Sequence, residues 1–455
     1  MTAVSETLPA AEAAPIKGRW RNVATLAFAG IVDAGEDQAM ASMFPAIRTS
    51  LNMTTANLGT ITSLGKVMEI IFGPIWGMLA DRFSRKRILI IGTGLWGLWT
   101  LLIGFSVSYE MLLSLRVIAA IGLVALGSPM NSMLTDLFPQ KERGKVFGIM
   151  RMISSLAVIV SILFFGRLAE IPETGWRIGF ITFGALSMLS GLLFALFLKE
   201  PPRGGAEAAI YDVAQQSEKK YTFSWQSVAA IFRVPTNLLL VFEKIFGVPV
   251  QLTILTFAVT WLVDERGFRP GQATTVLTGI VIGSAFSTLI GGLLGDWAER
   301  KNPRYGRLFI VQGSRAMMAL LGYFFFQQVT GNMMTFFAFA LLFGLFMDMA
   351  FPAAIAPMIA AVNLPEQRST AYAVNRLANG LIQAAVAALV GIAGGQITLT
   401  NLFLWSVTVS LVFSVLSWFA FYPYYYRDRM KLDDTLAKRR AELVYGEAEV
   451  KKRPQ

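Results

Sequence analysis

Long apolar stretches recur along this chain of 455 residues and limit the folds that it can adopt. Each is about 20 residues or longer and can cross a hydrocarbon core about 30 Å thick. Backbone groups in lipid must be paired internally, and the stretches lack the ten-residue alternation of membrane strands, so we predict helices. The twelve predicted spans lie near 22–46, 56–80, 88–108, 110–135, 145–168, 176–198, 235–263, 272–295, 307–328, 333–361, 370–395 and 399–425.

The composition supports a membrane protein and restricts its chemistry. Hydrophobic residues make up 55% of the chain and charged residues only 15%, against roughly a quarter charged in soluble domains. The chain has no cysteine and no histidine, which removes thiol chemistry and the imidazole that most often transfers protons or binds transition metals. A proton-coupled step would therefore use carboxylates, and no cofactor or metal site is predicted.

The sequence of one basic loop occurs twice in the chain, at a constant offset of 215 positions. It joins the second predicted span to the third and the eighth to the ninth, which indicates two related halves. The predicted fold is all-α, with twelve transmembrane helices in two pseudo-symmetric six-helix halves. The positions that repeat include Gly77 and Gly292, Asp81 and Asp296, and Arg85 and Arg300. The predicted domains are a tail at 1–20, a bundle at 21–198, a linker at 199–234, a bundle at 235–426 and a basic tail at 427–455.

The basic residues are distributed unevenly about the predicted spans. Of the 40 lysines and arginines, 29 lie in the tails, the linker and the loops on one side, 5 lie in the opposite loops, and 6 lie within spans. Because lysine and arginine are retained on the cytoplasmic side, both termini are predicted to be cytoplasmic, in the plasma (inner) membrane. The net charge of +11 is thus attributed to topology rather than to nucleic-acid binding. A functional monomer is expected.

These residues resemble a known family. The doubled loop resembles the signature loop of the major facilitator superfamily, and the segment from Leu115 to Gly122 resembles its second motif, with Ala120 where the first of two glycines usually stands. The acidic and Phe-Pro pieces at 36–37, 44–45 and 136–144 resemble, more narrowly, the Spinster-like branch. The glycine-proline motif of many drug antiporters is absent from the fifth span, which counts against that kind of exporter.

The resemblance covers roughly residues 20–425 and implies a transporter that works by alternating access. In this family the doubled loop holds the cytoplasmic side closed, and we expect Arg85 to pair with Asp136. The alternative, that the basic residues only set orientation, stays open. The predicted cytoplasmic gate comprises Gly77, Asp81, Arg85, Asp136, Arg143, Gly292, Asp296 and Arg300. Small residues such as Gly77 are expected to let neighbouring helices approach closely.

Charged residues inside the spans are expected to mark the functional core, because ionisable groups at mid-membrane are costly and face a cavity or a partner. Asp33, Glu36 and Asp37 are spaced so that they share one face of the first helix, and they are the candidates for proton coupling. The alternative is that they line a wet vestibule. The predicted substrate cavity comprises Lys66, Glu69, Arg116, Arg151, Glu243, Asp348, Asn375, Arg376 and Asn379. The alternative, for roughly half of the charges inside the spans, is that they form structural pairs that touch no substrate.

Two arginines suggest the type of substrate. Arg151 and Arg376 each follow another arginine by eight positions, on the fifth and eleventh spans. Paired guanidinium groups bind carboxylates and phosphates well, so the substrate is predicted to be anionic, zwitterionic or amphipathic; alternatively the arginines belong to the gate. An uncoupled facilitator is the second functional hypothesis. A membrane-embedded enzyme or receptor is disfavoured, because the chain lacks histidine, cysteine and a phosphate-binding glycine loop.

Overall fold

A computed structural model describes residues 18–202, 231–328, 330–364, 367–394 and 396–445, which form helices joined by short turns and loops, with no strand. The first six helices are α1 (Arg19–Leu51), α2 (Thr55–Arg82), α3 (Arg85–Ile103), α4 (Tyr109–Leu137), α5 (Gln140–Leu168) and α6 (Gly175–Phe197). The next six are α7 (Pro235–Asp264), α8 (Pro270–Lys301), α9 (Gly306–Gln327), α10 (Met333–Val362), α11 (Arg368–Gly394) and α12 (Leu399–Phe421). A further helix, α13 (Tyr425–Tyr445), follows them.

Of the helices α1 to α12, eleven are long and apolar enough to cross a membrane by themselves. The exception is α1, which is the longest of the twelve at 33 residues and carries Asp33, Glu36 and Asp37 near its middle. These acids lower its hydropathy, although its length of about 50 Å is more than sufficient to span. The chain is an integral membrane protein with twelve transmembrane helices, as predicted.

Local signals explain where many helices begin. A polar side chain precedes the first turn of four helices and accepts a hydrogen bond from a backbone amide there, which satisfies a group that would otherwise lack a partner. These capping residues are Ser84 before α3, Ser108 before α4, Asn332 before α10 and Thr398 before α12. Pro235 and Pro270 open α7 and α8, where a proline costs no hydrogen bond.

The chain divides into two compact units. Within the described residues, the first unit comprises 18–53 and 64–202, and the second comprises 54–63 and 231–445. The segment 54–63 is the start of α2, which the sequence places in the N-terminal bundle. In the structure it packs within the second unit, where the Ser63 hydroxyl donates a hydrogen bond of 3.0 Å to the carbonyl of Ala384. The predicted linker lies mostly outside the described residues, as do the ends of both tails.

Close contacts between helices depend on glycine. In the first unit, a Cβ added to Gly94 of α3 would overlap the backbone of Gly191 in α6. In the second unit, a Cβ at Gly283 or Gly295 of α8 would overlap the backbone of α10. Without aqueous solvent to drive association, such close backbone packing is a main source of helix–helix affinity in membranes.

The prediction that Gly77 lets a neighbouring helix approach closely is wrong for the helices of the first unit. A Cβ at Gly77 would meet its nearest atom, the Ser128 hydroxyl, at 3.6 Å, and one at Gly292 would meet the Pro352 Cβ at 4.0 Å. Both are ordinary van der Waals distances. In the second unit, the neighbouring positions Gly291 and Gly295 make the close approach to α10, because they lie on the face that α8 turns towards that helix.

Several helices contain wider, π-helical turns. One covers Ile90–Leu95 in α3 and another covers Phe351–Ile355 in α10, just after Asp348. Such turns often occur at functional sites, since the extra residue changes the direction of nearby side chains. Both lie beside polar cavities, one in each unit.

Candidate functional site

The acidic face of α1 lines a small polar cavity in the first unit. Asp33 and Glu36 contribute to its wall, opposite Thr93 and Thr100 of α3 and near Ser187 of α6. Glu36 is 4% exposed and Thr100 is 1% exposed, and the Thr100 hydroxyl donates a hydrogen bond to the Glu36 carboxylate. Glu36 is therefore a buried acid in the cavity wall whose carboxylate already has a hydrogen-bond partner.

Asp33 is in a different situation from Glu36. It is half-buried and makes neither a hydrogen bond nor an ion pair with any part of the chain that the structure describes. Across the cavity, the Thr93 hydroxyl is buried and likewise lacks a hydrogen-bond partner within the described ranges. A carboxyl group in a membrane helix is costly unless it is paired, neutral or wet, and the described residues offer Asp33 no partner.

The bases of the first unit surround the acidic face. The ammonium of Lys66 on α2 contacts both carboxylate oxygens of Glu69 at 2.9 Å. Arg116 of α4 is 8% exposed and lies within electrostatic range of Glu36, Lys66 and Glu69. Asp37 is exposed and accepts a long hydrogen bond of 3.4 Å from the amide of Gln38. Lys66, Glu69 and Arg116 thus lie around the α1 acids.

A larger cavity, of about 140 Å³, lies in the second unit. Glu243 of α7, which is 2% exposed, forms an ion pair of 3.3 Å with Arg315 of α9. The Glu243 carboxylate also accepts a hydrogen bond of 2.9 Å from the Ser414 hydroxyl of α12. Lys244 also lines this cavity. It makes no ion pair or hydrogen bond with the described residues.

The break in α10 places a second acid beside this cavity. Asp348 follows the last residue of the first α-helical segment of α10, just before the π-helical turn. Its carboxylate accepts a hydrogen bond from the Ser284 hydroxyl of α8. Asp348 and Asn379 both line the cavity with Glu243, so three of the predicted cavity residues are brought together here.

The remaining predicted cavity residues are placed differently. Arg151 and Arg376 are exposed on their own helices, whereas Asn375 is buried. Neither arginine has an ion-pair partner within the described residues. Asn375 and Asn379 are four positions apart, but only Asn379 lines the cavity of the second unit. A role in substrate binding for Arg151, Asn375 and Arg376 stays a prediction.

Arg85 is the centre of the polar network at the hairpin between α2 and α3. Although it is an arginine, it is only 2% exposed. Its guanidinium donates hydrogen bonds to the carboxylate of Asp136, to the Ser132 hydroxyl at 2.8 Å and to the carbonyl of Pro201 at 3.0 Å. The predicted Arg85–Asp136 pair is therefore present. Arg143 binds carbonyls at the end of α4, those of Thr135 and Phe138, and the side chain of Asp81 lies outside the described residues.

An acid that the sequence analysis missed completes this network. Glu200, two residues beyond the linker boundary, accepts hydrogen bonds from the Ser84 hydroxyl at 2.5 Å and from the backbone amide of Arg85 at 2.9 Å. Through these hydrogen bonds, Glu200 links the chain that follows α6 to the start of α3. An acid two positions after Leu198, the last apolar residue of the bundle, was the available signal.

The repeated hairpin in the second unit uses different partners. Asp296 accepts a hydrogen bond of 2.7 Å from Arg307, the second residue of α9, and Glu299 accepts one of 2.8 Å from the same guanidinium. Arg429 of α13 donates to Glu299 at 2.7 Å. Arg300, the repeat partner of Arg85, donates to the backbone carbonyl of Asp296 at 3.2 Å and has no other hydrogen-bond or ion-pair partner among the described residues. The spacing of the two hairpins repeats, but their ion pairs do not.

Comparison with known proteins identifies the family. The sequence pattern of the Major Facilitator Superfamily matches residues 26–257 and 244–448, which together cover most of the chain. The chain belongs to the major facilitator superfamily. Proteins of this superfamily that resemble it are transporters rather than enzymes.

Two curated superfamily members illustrate the range of related solutes. The hexuronate transporter of Bacillus subtilis is 25% identical over 292 residues, which is 62% of this chain and 66% of the relative. The probable sulfoacetate transporter of Cupriavidus necator is 28% identical over 284 residues, which is 61% of this chain and 64% of the relative. The matched segments thus span slightly less than two thirds of these relatives.

Solved structures agree on the fold. A bacterial homologue of the human lysosomal transporter Spinster, in an inward-facing and unoccupied conformation, superposes with a TM-score of 0.75 at 20% identity. The match covers 92% of this chain and 98% of that one. The predicted resemblance to the Spinster-like branch is thereby confirmed at the level of the fold.

Proposed function

We propose that this superfamily member is a secondary active transporter that moves a small organic solute by alternating access, coupled to protons through the acids of α1. The observation that carries the proposal is Asp33, a carboxyl group in a transmembrane helix that faces a polar cavity and has no described partner. Glu36, held by Thr100, is the second proton site, and Asp37 lies at the edge of the same face.

The chemistry follows from the cost of charge in the membrane. An ionised Asp33 favours a conformation in which its cavity is wet, whereas a protonated Asp33 can be sealed from water at lower cost. Protonation therefore changes the relative free energies of the two conformations, which is what coupling requires. Arg116 and the Lys66–Glu69 pair would supply the compensating charges as the acids titrate.

We further propose an anionic or zwitterionic solute and a cytoplasmic gate. Hexuronate and sulfoacetate, the solutes named for the two relatives, are both anions, which agrees with a site that uses Arg151, Asn375, Arg376 and Asn379. The buried Arg85–Asp136 pair supports a gate at the hairpins, to which Gly77, Asp81, Arg143, Gly292, Asp296 and Arg300 would belong. The excess of lysine and arginine at this end supports a cytoplasmic location.

Transport in proteoliposomes tests the coupling. With the purified full chain and a pH gradient, uptake of labelled glucuronate or sulfoacetate should follow the gradient. The Asp33→Asn and Glu36→Gln variants should lose this dependence, while Asp434→Asn, an exposed acid on α13, should behave like the parent. Uptake that ignores the gradient in the parent, or a gradient dependence that survives in Asp33→Asn, would contradict the proposal.

An uncoupled facilitator is the second candidate, and specific contacts favour it. Lys66 is neutralised by Glu69, and Arg315 by Glu243, so several membrane charges compensate one another and serve packing or gating. In that case the gradient would have no effect, and the Asp33→Asn variant would exchange solute at the parent's rate.

A further inference from the structure

The cavity of the second unit contains cationic hydrogen-bond donors that are not used. Arg315 is 8% exposed, and its Nε atom is buried without a hydrogen-bond partner in the described part of the chain. Lys244 lines the same cavity, and its ammonium group contacts no acid or carbonyl within the described ranges. Buried donors without partners are rare, and each one that persists calls for an explanation such as a ligand or an ion.

The acids of this cavity are, by contrast, already engaged. Glu243 accepts hydrogen bonds from Arg315 at 3.3 Å and from Ser414 at 2.9 Å, and Asp348 accepts one from Ser284. The cavity is formally neutral, with two acids and two bases. These hydrogen bonds reach the Glu243 Oε1 and Asp348 Oδ2 atoms. Lys244, by contrast, has no partner at all among the described residues, which favours a ligand group that accepts hydrogen bonds and carries negative charge.

There is also room for a small organic molecule. Its free volume of about 140 Å³ is about ten times what one water molecule needs, which suits a small organic anion rather than a drug-sized ligand. Gly247, one turn after Glu243, keeps the ion pair accessible: a Cβ at this position would lie 3.2 Å from both the Arg315 Nη2 and the Glu243 Oε1 atoms. Gln251 and Asn379 add neutral polar groups to the wall, where they can bind hydroxyls.

We propose that Lys244 and Arg315 bind the carboxylate, sulfonate or phosphate group of an organic anion in this cavity. Lys244 supplies a cation that has no ion-pair partner among the described residues, and the Arg315 guanidinium, which Glu243 contacts through Nη2, supplies a second. The inference rests on the proposed function in that the ligand is the transported solute, and it narrows that solute to an anion held by the second unit. Binding itself requires neither a proton gradient nor movement of solute.

Binding to the purified full chain in detergent tests this assignment. The probes are two matched pairs in which only the charge differs: glucuronate with glucuronamide, and methanesulfonate with dimethyl sulfone, with inorganic phosphate as a third anion. At constant ionic strength, at least one anion should raise the thermal unfolding temperature in a saturable way, and its neutral counterpart should not. The absence of any anion-dependent shift in the parent would overturn the proposal.

Variants locate the effect. Lys244→Met should weaken anion binding by about tenfold or more, the loss expected for one hydrogen bond between charged groups, whereas Lys244→Arg should retain much of it. Glu243→Gln should strengthen binding, because it frees the Arg315 guanidinium while Ser414 can still donate to the amide oxygen. Lys431→Met, an exposed lysine on α13, is the matched control. An unchanged affinity in Lys244→Met, or a loss equal to that in Lys431→Met, would contradict the assignment.

The outcome can be separated from that of proton coupling. Asp33→Asn lies in the other unit and should bind the anion with the parent's affinity. If anion binding depends on Lys244 but transport ignores the pH gradient, the coupling fails and the anion site stands. If transport follows the gradient but Lys244→Met binds the anion with the parent's affinity, the anion site fails and the proton coupling stands.

Discussion

Replacing Arg85 by methionine should destabilise the first unit more than any exposed substitution in the same hairpin. The side chain of Arg85 is 3% exposed and that of its partner Asp136 is 14% exposed, so methionine would remove the guanidinium that pairs with a largely buried carboxylate. Removing one member of a buried pair costs about 3–5 kcal/mol. Because Asp136 and Glu200 keep some contact with solvent, we expect the lower limit, about 3 kcal/mol. For a unit of this size that corresponds to a fall of roughly 6–12 °C in unfolding temperature.

The assay is thermal unfolding of the purified protein in one detergent, at one heating rate. Arg87→Met is the matched control, since Arg87 is exposed in the same hairpin. The double variant Arg85→Met with Asp136→Asn should be less destabilised than the sum of the two single variants, because the buried carboxylate is gone. Equal effects of Arg85→Met and Arg87→Met, or strict additivity in the double variant, would refute the reasoning.

Three further predictions follow from single contacts. Partial burial acts to raise the pKa of Glu200, but hydrogen bonds from the hairpin together outweigh this effect and hold that pKa below its ordinary value. The parent should therefore be more stable than the Glu200→Gln variant above about pH 4.3, the ordinary pKa of a glutamate. This difference in stability should disappear as the pH falls through the lowered pKa of Glu200. Gly94→Ala should lower the unfolding temperature by forcing α3 from α6, whereas Gly73→Ala, where a Cβ meets nothing within 4 Å, should not. Thr100→Val should cost about 1–3 kcal/mol of stability, and less in a Glu36→Gln background, as measured by denaturation.

Much of the fold could be predicted because the membrane restricts the possibilities so strongly. Length and hydropathy were enough to find the twelve helices, and α1 could be found although its three acids make it the least apolar of them. The interruptions could not be predicted. The π-helical turns at Ile90–Leu95 and Phe351–Ile355 depend on how each helix packs against its neighbours, and no local pattern in the sequence marks them.

The site could be predicted only in part. A charge inside a span is visible in the sequence, and this signal found Asp33, Glu36 and Glu243. Which charges face a cavity is decided by helix rotation, which explains why Lys244 lines the cavity although it is not among the predicted cavity residues, and why Arg376 is exposed. The repeat also misled, since Arg85 has an acid on α4 as its partner while Arg300 has none among the described residues.

Proton movement recorded together with solute movement tests the central claim most directly. Proteoliposomes that contain the full chain and an internal pH dye would receive an anion that the binding experiment has identified. We predict a change of internal pH, of either sign, that requires the solute and is absent in the Asp33→Asn and Glu36→Gln double variant while solute exchange at equal pH persists. Solute uptake by the parent without any change in internal pH would contradict the account.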